Sequence, residues 1–310
     1  MRIATFNVQN LRLRHPMGHP RFDGARDGDA ARDSGLQAAA LDLADRRLTA
    51  AVLAHADADV ICLQEVFDLE ALDFFHDHLL RHAGGHAYPY RFCFPGNDGG
   101  GRDVALMSRL PVDEVVSHAG LTAADLGLEE LPGRKAGAPV FRRDCLMAQI
   151  GDLTIFLCHF KAPWPDARVT WPVRRREALA VRRLIERRFP NGNKAFWLVL
   201  GDLNEPDEGH DGEPAIAPLT RDFAVDLVER LPESERWTYY EPASGGYLRL
   251  DYLLAAPALA EKWLDARPDV LREGLSREAA RYQGPRLPGV GRHRPRASDH
   301  AALVVEFAGL

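Results

Sequence analysis

Short apolar runs recur along the chain, separated by stretches in which apolar residues fall at helical spacing. Strand-like runs lie at residues 3–8, 59–66, 88–94, 104–108, 146–150, 153–160, 196–200, 249–254 and 301–307, each the length of a buried or half-buried strand. Helices are predicted over 36–56, after Asp33 or Ser34 as cap, over 69–82 and over 174–189. In the last of these, Leu179, Val181, Leu184, Ile185 and Phe189 share a face and arginines take the other. Pro190-Asn191-Gly192-Asn193 then stops it. Residues 145–150 and 153–158, joined by Gly151-Asp152, read as a hairpin. Helices mixed with paired strands predict an α/β protein with mixed sheets. Three stretches rich in Pro, Gly and Arg, 12–35, 162–173 and 265–297, read as long loops.

Composition narrows the class. The chain has 310 residues, 46% hydrophobic and 27% charged, the balance of a soluble globular protein. We expect one domain over 1–310, since large α/β units reach this length. A net charge of −6 denies the chain a global basic field for nucleic acid, leaving only local basic loops for that purpose. Cys62, Cys93, Cys145 and Cys158 form no C-x-x-C pair, which favours free thiols over zinc or disulfides. No apolar run approaches the roughly 18 residues of a membrane span. The start, Met1-Arg2-Ile3-Ala4-Thr5-Phe6-Asn7, reads as a strand and not as a signal peptide, so a cytoplasmic location is expected, with no protein partner implied.

Candidate chemistry sits where strands end. The run Ala195-Phe196-Trp197-Leu198-Val199 leads into Leu200-Gly201-Asp202-Leu203-Asn204-Glu205-Pro206. If the chain stays extended, Asp202 and Asn204 point to one face, where a carboxylate and a carboxamide hold a water and a charged oxygen together. The same residues also suit a plain turn. Other strand ends carry Asn7, Gln64-Glu65, His159 with Lys161, Asp251 and Ser298-Asp299-His300. Singly, each has a plain reading as turn residue, core histidine or partner of Arg249. Together they suit a ligand site, because α/β sheets gather ligands at strand termini.

With these motifs in order from Phe6-Asn7 to Ser298-Asp299-His300, the chain resembles the endonuclease/exonuclease/phosphatase superfamily, the deoxyribonuclease I-like fold. Gly201-Asp202-Leu203-Asn204 and Ser298-Asp299-His300 carry most of the resemblance. It implies a four-layer α/β/β/α sandwich of two mixed sheets flanked by helices, and hydrolysis of phosphate esters with Mg²⁺ or Mn²⁺. Carried over by motif, Glu65 is the primary metal carboxylate, with Asn7 beside it and Asp299 a further metal-site acid. Asp202 orients or deprotonates the attacking water, and Asn204 holds a non-bridging oxygen. His300 meets the phosphate, paired with Asp251, and His159 is a second histidine near the phosphate oxygens. Lys161 is a phosphate contact read from its position alone. Gln9 stands where abasic-site nucleases of the family carry Asp, and is not taken as a ligand. The central-strand tyrosine of those nucleases has no counterpart at 100–105, which makes DNA repair a weaker expectation.

The substrate is less legible. Arg142, Arg143 and Asp144 either face the phosphate or cap a strand. Arg174 to Arg176 open the predicted helix, where cations oppose the dipole unless an anion is near. Arg292 and Arg294, on the loop before Asp299, are the preferred phosphate clamp. Trp164 and Trp171 either stack on substrate or pin their loop. The expected activity is a metal-dependent phosphodiesterase or nuclease acting on a phosphate ester. The alternatives are a phosphomonoesterase for a small or lipid phosphate and, more remotely, a silent binding protein.

Overall fold

Residues 2–11 (Arg2–Leu11) form the first strand, β1, buried along nearly its whole length. A computed structural model of the chain describes residues 1–26, 36–190, 194–205 and 212–310. After β1 come β2 (Leu13–Arg14), β3 (Arg21–Phe22), α1 (Leu36–Ala56), β4 (Val60–Val66), α2 (Leu69–Phe75), β5 (Tyr90–Cys93), β6 (Asp103–Ser108) and β7 (Glu114–Ser117). The middle of the chain supplies α3 (Ala123–Leu126), β8 (Cys145–Ile150), β9 (Leu153–His159), α4 (Ala167–Arg188) and β10 (Phe196–Asp202). Then follow α5 (Ala217–Thr220), β11 (Val225–Asp226), β12 (Tyr239–Glu241), β13 (Gly246–Leu248), β14 (Asp251–Ala255), α6 (Pro257–Lys262), β15 (Asp269–Leu271) and β16 (Ala302–Glu306).

The strands make two six-stranded mixed sheets, ordered β15-β16-β1-β4-β6-β5 and β11-β14-β10-β9-β8-β7, with two short ribbons, β2-β3 and β12-β13. Alternation along β1 and β4 explains the layering. Ile3, Val60 and Cys62 enter a core shared with β8, β9, β10 and β14. Ala4, Phe6, Val8, Ile61 and Leu63 turn the other way, into a core completed by α1 and α2. On the far side of the second sheet, α4 buries Ala178, Val181 and Ile185. The result is the expected α/β/β/α order of layers. Burial of both sheet faces explains why these strands read as near-continuous apolar runs. All four cysteines are free. Among the described residues no helix is long and apolar enough to cross a membrane.

Two sequence expectations shift. The second long loop is shorter than expected, because α4 starts at Ala167. Asp166 caps it by accepting from the N–H groups of Arg168 and Val169, and Pro172 is accommodated inside the helix. Arg174 to Arg176 therefore lie beyond its first turn, and the dipole argument does not apply to them. The second predicted helix, 69–82, is α-helical only to Phe75 and continues as a wider turn over His76–Leu80. The expected caps Asp33 and Ser34, the stop residues 191–193 and Pro206 lie outside the described residues.

Candidate active site

Sheet direction brings the polar strand ends to one edge. β9 and β10 are parallel, so His159 lies beside Asp202, and β14 runs antiparallel on the other side with Asp251 opposite Asp202. Neighbours in one rung project to the same face. In the first sheet β1 and β4 are parallel, with Asn7 beside Gln64. The antiparallel β16 begins at this end, so Ser298, Asp299 and His300 precede it there. Asn7 then bridges the two sheets: its Nδ2 donates to Asp202 Oδ2 at 3.0 Å and to Glu65 Oε1 at 3.3 Å.

Special backbone makes these positions reachable. Gly201 has φ +126°, and a Cβ there would sit 2.0 Å from the Cys158 carbonyl oxygen. Only glycine fits, and it lets β10 run tight against β9 up to Asp202. Gln9, Asn10, Glu65 and Asn204 are all left-handed, at φ 48°, 57°, 66° and 52°, a conformation that side-chain-bearing residues seldom adopt. At Glu65 the pairing of β4 with β6 slips between Gln64 and Val66, which turns the carboxylate toward Asn7. Beyond β10, the Asn204 N–H donates to Asp202 Oδ1 at 2.9 Å, and the Asn204 amide donates to the Phe160 carbonyl at 3.0 Å.

Both carboxylates on the Glu65 side are gripped by donors. Glu65 Oε2 accepts from the Asn10 N–H at 3.0 Å and lies 3.7 Å from Arg102. Asp299 Oδ2 accepts from Gln9 Nε2 at 2.8 Å, while Arg296 donates to Gln9 Oε1 at 3.1 Å. Ser298 Oγ donates to the Asn7 carbonyl at 2.7 Å. Opposite, His300 Nδ1 stands 2.8 Å from Asp251 Oδ2, and its Nε2 lies 3.8 Å from Asp202 Oδ2. His159 Nε2 is 3.5 Å from the same Asp202 oxygen.

Charge states follow from burial and neighbours. Burial pushes Asp202 up to about 7, with Asp251 and Glu65 adding to the rise and His300 and Asn7 opposing it. For His300 burial disfavours the cation, but Asp251, Asp202 and Asp299 outweigh it and raise the imidazole to about 10. His159 goes the other way: burial, then Arg143 and His300, hold it well below the ordinary histidine value. It is therefore neutral, and its contact with Asp202 is not an ion pair. The cleft thus holds one cationic and one neutral imidazole around a carboxylate poised near neutrality.

Glu65 and Asp299 offer carboxylate oxygens, and Asn7 beside them turns its amide N–H groups to Glu65 and Asp202. Among the described residues no group of three or more His, Cys, Asp or Glu side chains is arranged as a closed cage for a metal. Two carboxylates fit a hard ion such as Mg²⁺ or Mn²⁺, which retains several waters.

Other residues singled out in the sequence fall elsewhere. Lys161 Nζ donates to the carbonyls of Ala162 and Trp164, at 3.0 and 2.7 Å, and so braces its own loop. Arg294 does not reach the cluster: it is buried against Asp42 and Asp45 of α1. Arg292 is exposed, with Glu278 as its neighbour. Trp171 donates to the Glu213 carbonyl, which pins its loop, whereas Trp164 is 75% exposed. Arg249 pairs with Asp226, leaving Asp251 to His300. Arg174 is buried and reaches Glu205, next to Asn204.

Residues that the sequence left open or did not mark complete the cleft. Gln9 and Asn10 reach Asp299 and Glu65, and their position directly after Asn7 was the available signal. Arg143 donates to the Phe160 carbonyl beside the Asn204 amide. Tyr239 sets its ring 4.9 Å from that of His300, with no sequence motif to mark it.

Comparison with known proteins agrees with this fold. The model of the Endonuclease/Exonuclease/phosphatase family matches residues 4–300. No curated protein matches the sequence. Among solved structures, an endonuclease/exonuclease/phosphatase family protein from Leptotrichia buccalis is 14% identical, with 99% of each chain covered and a TM-score of 0.59. The 3'-5' exonuclease (NExo) from Neisseria meningitidis is 19% identical, again over 99% of each chain, with a TM-score of 0.55. An AP endonuclease from Archaeoglobus fulgidus is 18% identical over 99% of each chain, with a TM-score of 0.56. At such identities the likeness speaks for the fold.

Proposed function

The chain belongs to the endonuclease/exonuclease/phosphatase family, and from that premise we propose that it is a single-domain, divalent-metal-dependent phosphodiesterase whose substrate is a nucleic acid strand. The observation that carries the reading is the meeting of Asp202 with Asn7, His159 and His300, with Glu65 and Asp299 behind them. Two of the similar structures are named as an exonuclease and an AP endonuclease, which supports nucleic acid as the diester.

A phosphodiester is anionic, so its hydrolysis needs charge neutralisation and a held water. Glu65 and Asp299, with Asn7 beside them, would hold Mg²⁺ or Mn²⁺, which when bound would supply a Lewis acid for the phosphoryl and leaving oxygens. Asp202 takes the proton of the attacking water. Burial raises its carboxyl above the ordinary value, toward that of a general base, and both its oxygens are fixed by donors, from Asn204 and Asn7. Cationic His300, held by Asp251, faces the negative charge that grows on phosphorus oxygens. Neutral His159 donates a second hydrogen bond there. The Asn204 amide has one N–H on Phe160 and presents the other to a non-bridging oxygen.

The test compares bis-p-nitrophenyl phosphate, p-nitrophenyl phosphate, single-stranded DNA and plasmid, with Mg²⁺, with Mn²⁺ and with EDTA. Diester and DNA cleavage that EDTA stops and added metal restores is the expected result. Turnover of the monoester alone, or rates indifferent to EDTA, would overturn the reading.

A further inference from the structure

We propose that Arg46 of α1 is a positioning residue for the metal-side carboxylates: its guanidinium holds the curled end of β1 in the shape that delivers the Gln9 amide to Asp299 and the Asn10 N–H to Glu65. The inference rests on the reading of Glu65 and Asp299 as the metal side.

Arg46 is fully buried, and its hydrogen bonds run to backbone carbonyls. Nε donates to Asp23 at 2.7 Å and Nη1 to Val8 at 2.6 Å. Nη2 donates to Gln9 at 2.7 Å, and to Asn10 and Gly24 at 2.8 Å each. Successive carbonyls of an extended strand point in opposite directions. Three in a row can converge on one guanidinium only if the strand curls. The curl is there: Gln9 and Asn10 are left-handed, and the pairing of β1 with β4 breaks between Asn7 and Leu11.

The curl has a cost and a product. Non-glycine residues at positive φ are strained, and five carbonyl oxygens crowded in a dry interior repel one another. A buried cation answers both, and planar Arg supplies the several directed donors that Lys lacks. The product lies on the opposite side of the same three residues. Freed from the ladder, the Gln9 N–H caps Asn7 Oδ1 at 3.0 Å, and the Asn10 N–H reaches Glu65 Oε2 at 3.0 Å. The Gln9 side chain reaches Asp299 Oδ2 at 2.8 Å. Arg46 touches none of the carboxylates of the cleft, yet Asn7, Glu65 and Asp299 each receive a donor from the segment it holds. Outer donors of this kind orient metal ligands and set affinity.

The experiment titrates the full chain with Mn²⁺, following the free ion by electron paramagnetic resonance, with circular dichroism as the check on folding. Arg46→Lys and Gln9→Met are compared with wild type and with Glu65→Gln. Gln9→Met keeps every Arg46 contact, because Arg46 binds the carbonyl of residue 9 and not its side chain. The expected result is loss of binding in Glu65→Gln and about tenfold weaker binding in both Arg46→Lys and Gln9→Met, all with native dichroism. A merely structural Arg46 would lower thermal stability and leave the Mn²⁺ affinity of the folded protein alone. Wild-type affinity in folded Arg46→Lys overturns the inference. If Arg46→Lys does not fold, Gln9→Met decides: wild-type affinity there overturns it, and the tenfold loss supports it. Undiminished binding in Glu65→Gln overturns the metal reading itself, and the inference with it.

Discussion

His300 Nδ1 and Asp251 Oδ2 lie 2.8 Å apart, both largely buried. One side of the imidazole is covered by the Tyr239 ring, and its Nε2 faces Asp202. Although burial disfavours the imidazolium, Asp251 leads the neighbours that raise it to about 10. Asp251→Asn removes that counter-charge while keeping the shape. The His300 pKa is expected to fall, and kcat on the diester by on the order of 10²- to 10⁴-fold. Nuclear magnetic resonance titration of the ring and steady-state kinetics read the two effects. An unmoved titration would show that Asp251 does not set the charge of His300.

Asp202 is the carboxylate that both histidines and Asn7 share. Asp202→Asn keeps a side chain of the same size and removes the base. Activity is expected to drop by several orders of magnitude, roughly 10³-fold or more. The fold should persist, because the variant also removes a buried negative charge close to Asp251 and Glu65. The check is turnover together with the thermal midpoint. Activity within tenfold of wild type would assign the base elsewhere.

Gly201 is the backbone device that sets Asp202 at the rung shared with His159 and Asp251. Gly201→Ala drives a methyl to 2.0 Å from the Cys158 carbonyl oxygen at a φ of +126°. Overpacking and left-handed strain together cost roughly 2–5 kcal/mol. We expect a lower denaturant midpoint and, in the protein that still folds, loss of turnover as β10 moves away from β9. A variant as stable and active as wild type would mean that β9 relaxes at little cost.

Most of the layer order was legible because the inner strands are buried on both faces and so announce themselves as apolar runs. Helix α1 was readable to its ends for the reverse reason, a long Ala- and Leu-rich stretch with nothing to interrupt it. Short edge elements such as β7, β11 and β15 escaped notice, since two to four half-buried residues leave no period to read. In the candidate site, Asn7, Glu65 and Asp202 stood out as polar residues ending apolar strands, and His300 as one just before the last strand. The supporting side chains did not. Arg46 sits inside an ordinary helix, and what makes it matter is the set of carbonyls from two separate segments, 8–10 and 23–24, that fold onto it. The Arg292 to Arg296 stretch misled in the opposite sense. A basic loop beside Asp299 looks like a phosphate clamp until the buried acids of α1 come into view, and those are separated from it by some 250 positions.

Arg294 illustrates how the two readings of that loop can be separated. It ion-pairs with Asp42 and Asp45, both fully buried. For Asp42 burial favours the neutral acid, but Arg26, Arg294 and Arg21 outweigh it and hold the carboxyl below its ordinary value. For Asp45 burial wins and the value is raised, with Arg294 the chief opposing influence. A depressed carboxyl stabilises the fold above its unfolded value, near 3.8, and that stability is lost as pH falls through the lower folded value. Asp45 contributes with the opposite sign, because ionising it in the folded state is unfavourable, and more so once Arg294 is gone. Arg294→Ala therefore harms the fold most where both acids are ionised. At pH 7 breaking the buried pair is expected to cost roughly 3–5 kcal/mol, and the gap from wild type should narrow as pH drops below about 4. Thermal midpoints of the two proteins between pH 3 and 8 measure this directly. A clamp on the substrate phosphate would behave otherwise, with KM for the diester rising several-fold and the midpoints of the two proteins coinciding across that range.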